Sequence, residues 1–304
     1  MTIASGSRHR LAYIAEVTYG TTPSTPAFTT IRHNACSLGL SKDAVESDEI
    51  RGDRQIASFR HGNKQVGGDI ESDLLYGEHD ALFEAALCGS WSTDVLKAGT
   101  TRRSFTFERT FQDITQYVRY KGCEVNGFNL KLSPNKMASL SFSIIGQDQD
   151  APAGSAIAGS SYSSLTTVEP FDSFNAVITE GGSAIAIITE AEIKLVNGIE
   201  PQFVIGSALT VRPAIGRSNV SGSITAFFED ATLLNKFRNE TESALDITLT
   251  DPAGNTFQIQ LGNITYTSGQ PDVSGEGSVS ISMSFQAIYD SSDASNIVIT
   301  RNPI

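Results

Sequence analysis

Histidine and cysteine are among the side chains of this sequence that could bind a metal or act as a base or nucleophile. No histidine has a second histidine or cysteine at the spacing of a metal centre. The sequence contains no HExxH, nucleophile-elbow, Walker A or dinucleotide-binding motif. We therefore expect no metal, no cofactor and no enzymatic activity, with the histidines on loops or at the surface. They are His9, His33, His61 and His79.

Neither the cysteines nor one acidic stretch forms a recognisable reactive or metal-binding motif. Cys36, Cys88 and Cys123 are far apart and form no CxxC pair, which indicates a reducing compartment without a disulfide framework. The stretch 148–150, Asp-Gln-Asp, begins like a calcium loop, but Pro152 and the lack of a following glutamate break the pattern. We interpret it as an acidic linker.

The composition limits the classes of function. The chain has 304 residues, enough for two cores, and its 34 acidic against 22 basic residues give a formal charge of −12. Such a charge disfavours tight nucleic-acid binding, which needs basic groups to displace counterions from phosphate. No apolar run approaches the 18 residues of a membrane span, and no signal segment is visible, so we expect assembly in a cytoplasm and no membrane insertion.

A repeated pattern organises the chain. The frame G-x3-V-x-G-x-I occurs at residues 62–70 and again at 216–224, an offset of 154. A second pair of similar segments is found at residues 138–144 and 279–285, an offset of 141. Two such pairs in the same order predict a duplicated unit of about 150 residues. Alternating apolar residues dominate both halves, which predicts a mainly β fold with one helix per unit, as two tandem β-sandwich or half-barrel units.

The order of turns and apolar segments predicts the domain boundaries. We expect an N-terminal arm, a first unit with a projecting loop, a small-residue linker and a second unit. Their ranges are 1–27 for the arm, 28–150 for the first unit, 42–61 for its loop, 151–164 for the linker and 165–304 for the second unit. Helices are expected at 76–88, ended by Gly89, and at 231–239. In the second unit we expect a strand over 191–205 and a shortened loop around Arg212.

The projecting loop is dense in charges of both signs and carries two isoleucines. This mixture favours docking on another copy of the chain, by charge pairing and hydrogen bonding, although a solvated loop without a role is the alternative. The candidate docking residues are Asp48, Glu49, Ile50, Arg51, Asp53 and Arg54.

Several strands pair an apolar face with a face of small or acidic residues. Ordinary solvent exposure explains such a face, and so does the wall of an aqueous passage through an oligomer, where carboxylates repel phosphate. The candidate lining residues are Asp69, Glu71, Asp73, Ser139, Ser141, Ser143, Ser280, Ser282 and Ser284.

Residues 16–23 (EVTYGTTP) and 48–56 (DEIRGDRQI), followed by Gly62 and the repeated strand, resemble the tail tube (major tail) proteins of long-tailed, non-contractile bacteriophages. The resemblance implies stacked rings whose sheets join in a β-barrel of about two dozen strands around a DNA channel. It also implies that the loop and arm bridge rings, and that tape measure and tail terminator proteins are partners in the virion.

Family members with one such unit form hexameric rings. A two-unit chain is therefore expected to close the same ring with three copies in pseudo-sixfold symmetry, with a hexamer as the alternative. The absence of an EIRxDR run from the second unit leaves open whether both units contact the next ring. Our functional hypothesis is a virion structural protein that self-assembles into a tube for DNA ejection. The rival hypothesis is a tandem β-sandwich adhesin or carbohydrate-binding module.

Overall fold

A computed structural model of the chain describes residues 3–185, 187–273 and 275–302. The fold is mainly β, as predicted, with two α-helices among the described residues. Ten strands lie before residue 150. They are β1 (His9–Ala15), β2 (Ala27–Ile31), β3 (Ala35–Cys36), β4 (Gly39–Glu46), β5 (Phe59–Asp73), β6 (Val95–Lys97), β7 (Phe105–Phe111), β8 (Gln116–Leu132), β9 (Ser139–Gly146) and β10 (Asp148–Gln149).

Ten further strands follow in the rest of the described chain. They are β11 (Ser161–Tyr162), β12 (Ala176–Glu180), β13 (Ser183–Ala184), β14 (Ile188–Val196), β15 (Asn219–Phe227), β16 (Ser243–Thr250), β17 (Thr256–Tyr266), β18 (Gln270–Asp272), β19 (Ser280–Ala287) and β20 (Val298–Asn302).

Each predicted helix is present and follows a repeated strand. Helix α1 (Asp80–Leu87) follows β5 and buries Leu82 and Phe83, because its apolar residues recur at helical spacing. Its C-cap is Cys88, in the left-handed conformation at φ 50°, and not the expected Gly89. Helix α2 (Thr232–Arg238) follows β15 and buries only Leu233. The first helix is therefore covered by the rest of the chain and the second lies near the surface.

One antiparallel sheet, the main sheet, runs through both halves of the chain. Its strands lie in the order β4, β5, β9, β8, β14, β15, β19 and β17. Strand β18 continues beyond β17 along β19. The two halves join where β8 pairs with β14 over residues 127–132 and 191–196. Buried apolar residues on alternate positions pack one face of this sheet against the core.

The two halves have the same order of pairing. Gly68 lies opposite Ile144 across β5 and β9, and Gly222 lies opposite Phe285 across β15 and β19. These partners differ by 222 − 68 = 154 and 285 − 144 = 141, the two offsets read from the sequence. The hairpins β7–β8 and β16–β17 each have one register shift, between Phe105 and Phe107 and between Ser243 and Leu245.

Part of the predicted arm lies in the body of the protein. Strand β1 pairs with β2 and β7 and buries Leu11, Ala12 and Tyr13. An extended arm is therefore the wrong description for residues 9–15. The apolar residues of β1 complete the sheet formed by β7 and the first half of β8.

The predicted linker is also held against the first half. Strand β11 pairs with β2, and the Tyr162 hydroxyl donates to Glu108 Oε1 at 2.6 Å. Glu108 is fully buried and accepts from Arg119 Nε at 2.8 Å. A buried carboxylate needs such partners to offset its desolvation. Residues 161–162 are thus fixed in place and do not form a free connection.

The connection between β14 and β15 differs from its prediction. Strand β14 ends at Val196, so the expected strand over 191–205 is wrong beyond that residue. The connection spans residues 197–218 and is longer than the tip 47–58 of the first unit, so the expected shortened loop is also wrong. It folds back onto the first half, where Arg212 Nε donates to Glu124 Oε1 at 2.7 Å.

His79 lies in the turn directly before α1 and is buried rather than exposed at the surface. Its Nε2 lies 3.1 Å from Ser72 Oγ, and burial lowers its pKa from 6.5 to about 4. Between these pH values the unfolded chain binds a proton that the folded chain excludes, so stability falls as the pH falls from 6.5 to 4. We expect His79 to contribute up to about 3 kcal/mol of this loss.

Urea unfolding between pH 4 and 7 measures this effect. We expect His79→Gln to flatten the dependence of unfolding free energy on pH by about one proton. The exposed His61 provides the matched control, His61→Gln, which is expected to keep the wild-type slope. Equal slopes for His79→Gln and wild type would contradict the prediction.

Candidate assembly surfaces

The face of the main sheet that points away from the core carries all nine predicted lining residues. In β5 the even-numbered Val66 and Ile70 are buried, so Asp69, Glu71 and Asp73 point to the other side. They lie opposite the serines of β9 and continue through β8 and β14 to the serines of β19. The matched pairs on β5 and β9 are Asp69 with Ser143, Glu71 with Ser141 and Asp73 with Ser139.

The same face holds four charged residues that the sequence analysis missed. Lys131 of β8 lies opposite Glu192 of β14, while Lys194 and Glu190 follow at the alternate positions of β14. With Asp69, Glu71 and Asp73 the face carries five acidic and two basic side chains, a net −3. The signal was present in β14, where the buried Ala191, Ile193 and Leu195 alternate with them. We call this surface the acidic face.

On β15 and β19 the acidic face becomes uncharged. Ser223 lies opposite Ser284, Thr225 opposite Ser282, and Phe227 opposite Ser280. Apart from the exposed Phe227, short hydroxyl side chains cover the backbone here, and no side chain adds charge. The acidic face therefore changes from carboxylate side chains near β5 to hydroxyl side chains near β19.

The predicted projecting loop is a β-hairpin. Strands β4 and β5 pair as far as Glu46 and Phe59, and residues 47–58 form an irregular tip. The six candidate docking residues all lie in this tip and are all exposed. Ile50 is 102% exposed.

Charges within the tip are paired with one another. Arg51 donates to both carboxylate oxygens of Asp53, at 3.1 and 2.8 Å, and lies 3.6 Å from Glu49. The hydrogen bonds from Arg51 lower the pKa of Asp53. The tip thus presents the exposed Ile50 beside an internal ion pair, an arrangement suited to packing against another protein surface.

Both lateral edges of the main sheet are open. Among the described residues, β3 and β4 pair only with β5, and β18 pairs only with β19. Unpaired strand edges expose amide and carbonyl groups that can accept another strand. The junction of β8 with β14 shows within the chain how two such edges can meet.

The structure brings two of the scattered histidines together. His9 Nδ1 lies 2.7 Å from His33 Nε2, and Arg109 Nε donates to His9 Nε2 at 3.1 Å. Burial is the main cause that lowers the pKa of His9 to about 4.

In the described ranges no three His, Cys, Asp or Glu side chains group as metal ligands. No helix in those ranges is long and apolar enough to cross a membrane.

The fold and surfaces describe a β subunit with open sheet edges and an exposed hairpin. The sequence model of the phage tail tube protein family matches residues 6–287, which are 282 of the 304 residues. The chain belongs to this family, which confirms the resemblance and makes the protein a structural component of the virion tail. Comparison with curated proteins finds no match.

Proposed function

We propose that three copies of this chain close a ring, and that stacked rings form a tube through which DNA leaves the virion. The observation that carries the proposal is the junction of β8 with β14, where one half of the chain pairs edge to edge with the other. This role requires no catalysis and no cofactor. Tape measure and tail terminator proteins would bind the finished tube, after assembly in the host cytoplasm.

In this ring the two halves of the chain act as two copies of one unit. In support, the order β4–β5–β9–β8 has the same pairing as β14–β15–β19–β17. The two sequence offsets also place Gly68–Ile144 and Gly222–Phe285 at equivalent positions. Strand β4 then corresponds to β14, and the segment 266–273, which contains β18, corresponds to the second half of β8.

This equivalence gives a register for the contact between copies. Lys194 lies opposite Asn129 across β8 and β14. Asn129 plus the offset of 141 is Gln270, and Gly39 has the place in β4 that Lys194 has in β14, since their partners Gly67 and Ser221 differ by 154. We therefore expect Gly39 of one copy to lie opposite Gln270 of the next.

Three copies would supply 3 × 8 = 24 strands, because the main sheet contributes eight from each chain. About 24 strands spaced ~4.8 Å apart and tilted by up to roughly 40° close a barrel on the order of 37 to 48 Å across. A DNA duplex passes through such a bore with room for water.

With the core on the outer side of the sheet, the acidic face would line the channel. Its carboxylates repel phosphate, and at physiological salt the repulsion extends only over ~8 Å. DNA is thus kept from adhering to the wall without meeting a barrier along the axis.

Native mass spectrometry and negative-stain microscopy test the proposal together. We expect annuli and tubes, and a closed species of 3 × 32.5 = 97.5 kDa. Single rings that each contain six copies would overturn the three-copy ring in favour of the hexamer. A protein that remains a monomer at every concentration would overturn ring formation itself.

A further inference from the structure

The segment 170–173 closes the first unit through a three-way set of hydrogen bonds. The Leu74 amide donates to the Ala138 carbonyl at 2.8 Å, the Ala138 amide donates to the Phe171 carbonyl at 2.9 Å, and the Phe171 amide donates to the Leu74 carbonyl at 3.0 Å. The segment therefore lies between the end of β5 and the start of β9. All three residues are fully buried.

In the second unit, no segment of the described chain occupies the equivalent place. The two offsets convert Leu74 into Phe228 and Ala138 into Val279, and the Phe228 amide donates to the Val279 carbonyl at 2.9 Å, as in the first unit. Among the described residues, however, nothing donates to the Phe228 carbonyl or accepts from the Val279 amide. Both residues are only partly buried. One donor and one acceptor therefore remain for an inserted segment.

The segment before β1 has the same place relative to its strand as the segment that fills the first unit has relative to β12. Strand β12 pairs with β16 through Ala176 and Leu249, just as β1 pairs with β7 through His9 and Phe111. Leu249 and Phe111 are equivalent positions of the two hairpins, which differ by 138, as do the bulge residues Leu245 and Phe107.

The spacing before these two strands is also the same. One bend residue and two turn residues, 173–175, precede β12, and the three residues Gly6–Arg8 precede β1. Counting back five residues from each strand leads from Ala176 to Phe171 and from His9 to Ala4. Ala4 is thus the counterpart of Phe171.

We propose that residues 3–6 of one copy insert between Phe228 and Val279 of the next copy. The Ala4 amide donates to the Phe228 carbonyl, and the Ala4 carbonyl accepts from the Val279 amide. The direction is the one that the chain uses internally, where β14 pairs with β8 and the segment before β12 fills the first unit. The inference rests on the proposed ring, because it needs β4 of one copy beside β18 of another.

The side chain of Ile3, next to Ala4, has space at the insertion site between Phe228 and Val279. Pro170 lies opposite Leu75, so Ile3 comes opposite Glu229 of the next copy. Glu229 lines a cavity of about 550 Å³ whose wall also includes Ile185, Phe228 and Ile281. Ile3 is 83% exposed in the single chain, and insertion covers it.

Hydrogen exchange of the wild-type protein tests the inference directly. The Val279 amide is expected to exchange about tenfold more slowly, or slower still, in rings than in the monomer, because it gains a hydrogen bond there. Rings in which this amide exchanges as fast as in the monomer would overturn the insertion and leave the proposed ring intact. Failure of the wild-type protein to form rings would instead overturn the proposed function.

A pair of substitutions at Ala4 provides a matched test. Ala4→Pro removes the amide donor, and Ala4→Ser keeps it. We expect Ala4→Pro to raise the concentration needed for ring assembly by about tenfold, whereas Ala4→Ser assembles like wild type. Thermal unfolding of the monomers checks that both variants fold normally. Wild-type assembly by a folded Ala4→Pro would contradict the insertion.

Discussion

Deletion of the hairpin tip is expected to abolish tubes while leaving folded rings. In this variant residues 47–58 are replaced by Asn-Gly, so that a two-residue turn connects Glu46 to Phe59. These two residues are a cross-strand pair, and Asn-Gly supplies the tight turn that such a pair accepts. The tip holds no buried residue, so its loss leaves the core unchanged. The variant lacks Ile50 and every charged candidate docking residue, so the rings lose these contacts with one another.

Electron microscopy and native mass spectrometry separate the two levels of assembly. We expect the deletion variant to give single rings of unchanged mass in place of long tubes. Long tubes formed by this variant would contradict the assignment of stacking to the hairpin.

Two point variants compare the loops of the two units. Ile50→Ser removes the exposed isoleucine of the first tip, and Ile205→Ser removes its 107% exposed counterpart in the segment 197–218. We expect the larger loss of tube length from Ile50→Ser. The reason is that segment 197–218 folds back onto the first half, where the Lys64 amide donates to the Ala208 carbonyl at 2.8 Å. Equal losses would show that both units contact the next ring equally.

The repeated glycines explain why the sequence alone predicted so much of the main sheet. A Cβ on Gly68 would lie 2.7 Å from the Leu38 amide nitrogen, and a Cβ on Gly222 would collide with the Glu192 carbonyl oxygen. Glycine is required at both positions because the backbone of a neighbouring segment passes close by. Because this steric requirement is local, it appears in the sequence as a repeated glycine. The alternation of apolar residues on either side of each glycine then predicts which face of the strand is buried.

The parts that were missed depend on contacts between distant residues. The sequence predicts an arm in place of β1, because the short apolar run of this strand finds its partner only in β7, about 100 residues later. The segment 197–218 folds back because Asn197 Nδ2 donates to the Ala86 carbonyl at 2.7 Å, a partner with no local signal. The proximity of His9 and His33 likewise follows from the meeting of β1 with the end of β2.

Cysteines placed across the proposed contact between copies are expected to link the ring covalently. The variant Gly39→Cys/Gln270→Cys places the two thiols on facing strands of neighbouring copies. Directly opposed residues of antiparallel strands have Cα atoms about 4.5 to 5.5 Å apart, within the range of a disulfide. Gly39 has room for a side chain, since an added Cβ meets nothing nearer than the Ser37 carbonyl oxygen at 3.7 Å.

Two control pairs make the register testable. Asn129→Cys/Lys194→Cys occupies the equivalent positions across β8 and β14, and is expected to form a disulfide within one chain without linking copies. Gly39→Cys/Asp272→Cys keeps the same face but moves one thiol two residues, about 7 Å, along the strand, and is expected to link poorly.

Non-reducing gel electrophoresis of oxidised rings gives the result. For Gly39→Cys/Gln270→Cys we expect a ladder of linked chains that ends at three copies, because each chain offers one β4 edge and one β18 edge. A ladder that ends at six would replace the three-copy ring with a hexamer. If the intrachain control forms its disulfide while assembled rings of the Gly39–Gln270 pair stay unlinked, the two open edges do not meet in this register. The equivalence of β4 with β14 would then fail as a guide to ring closure.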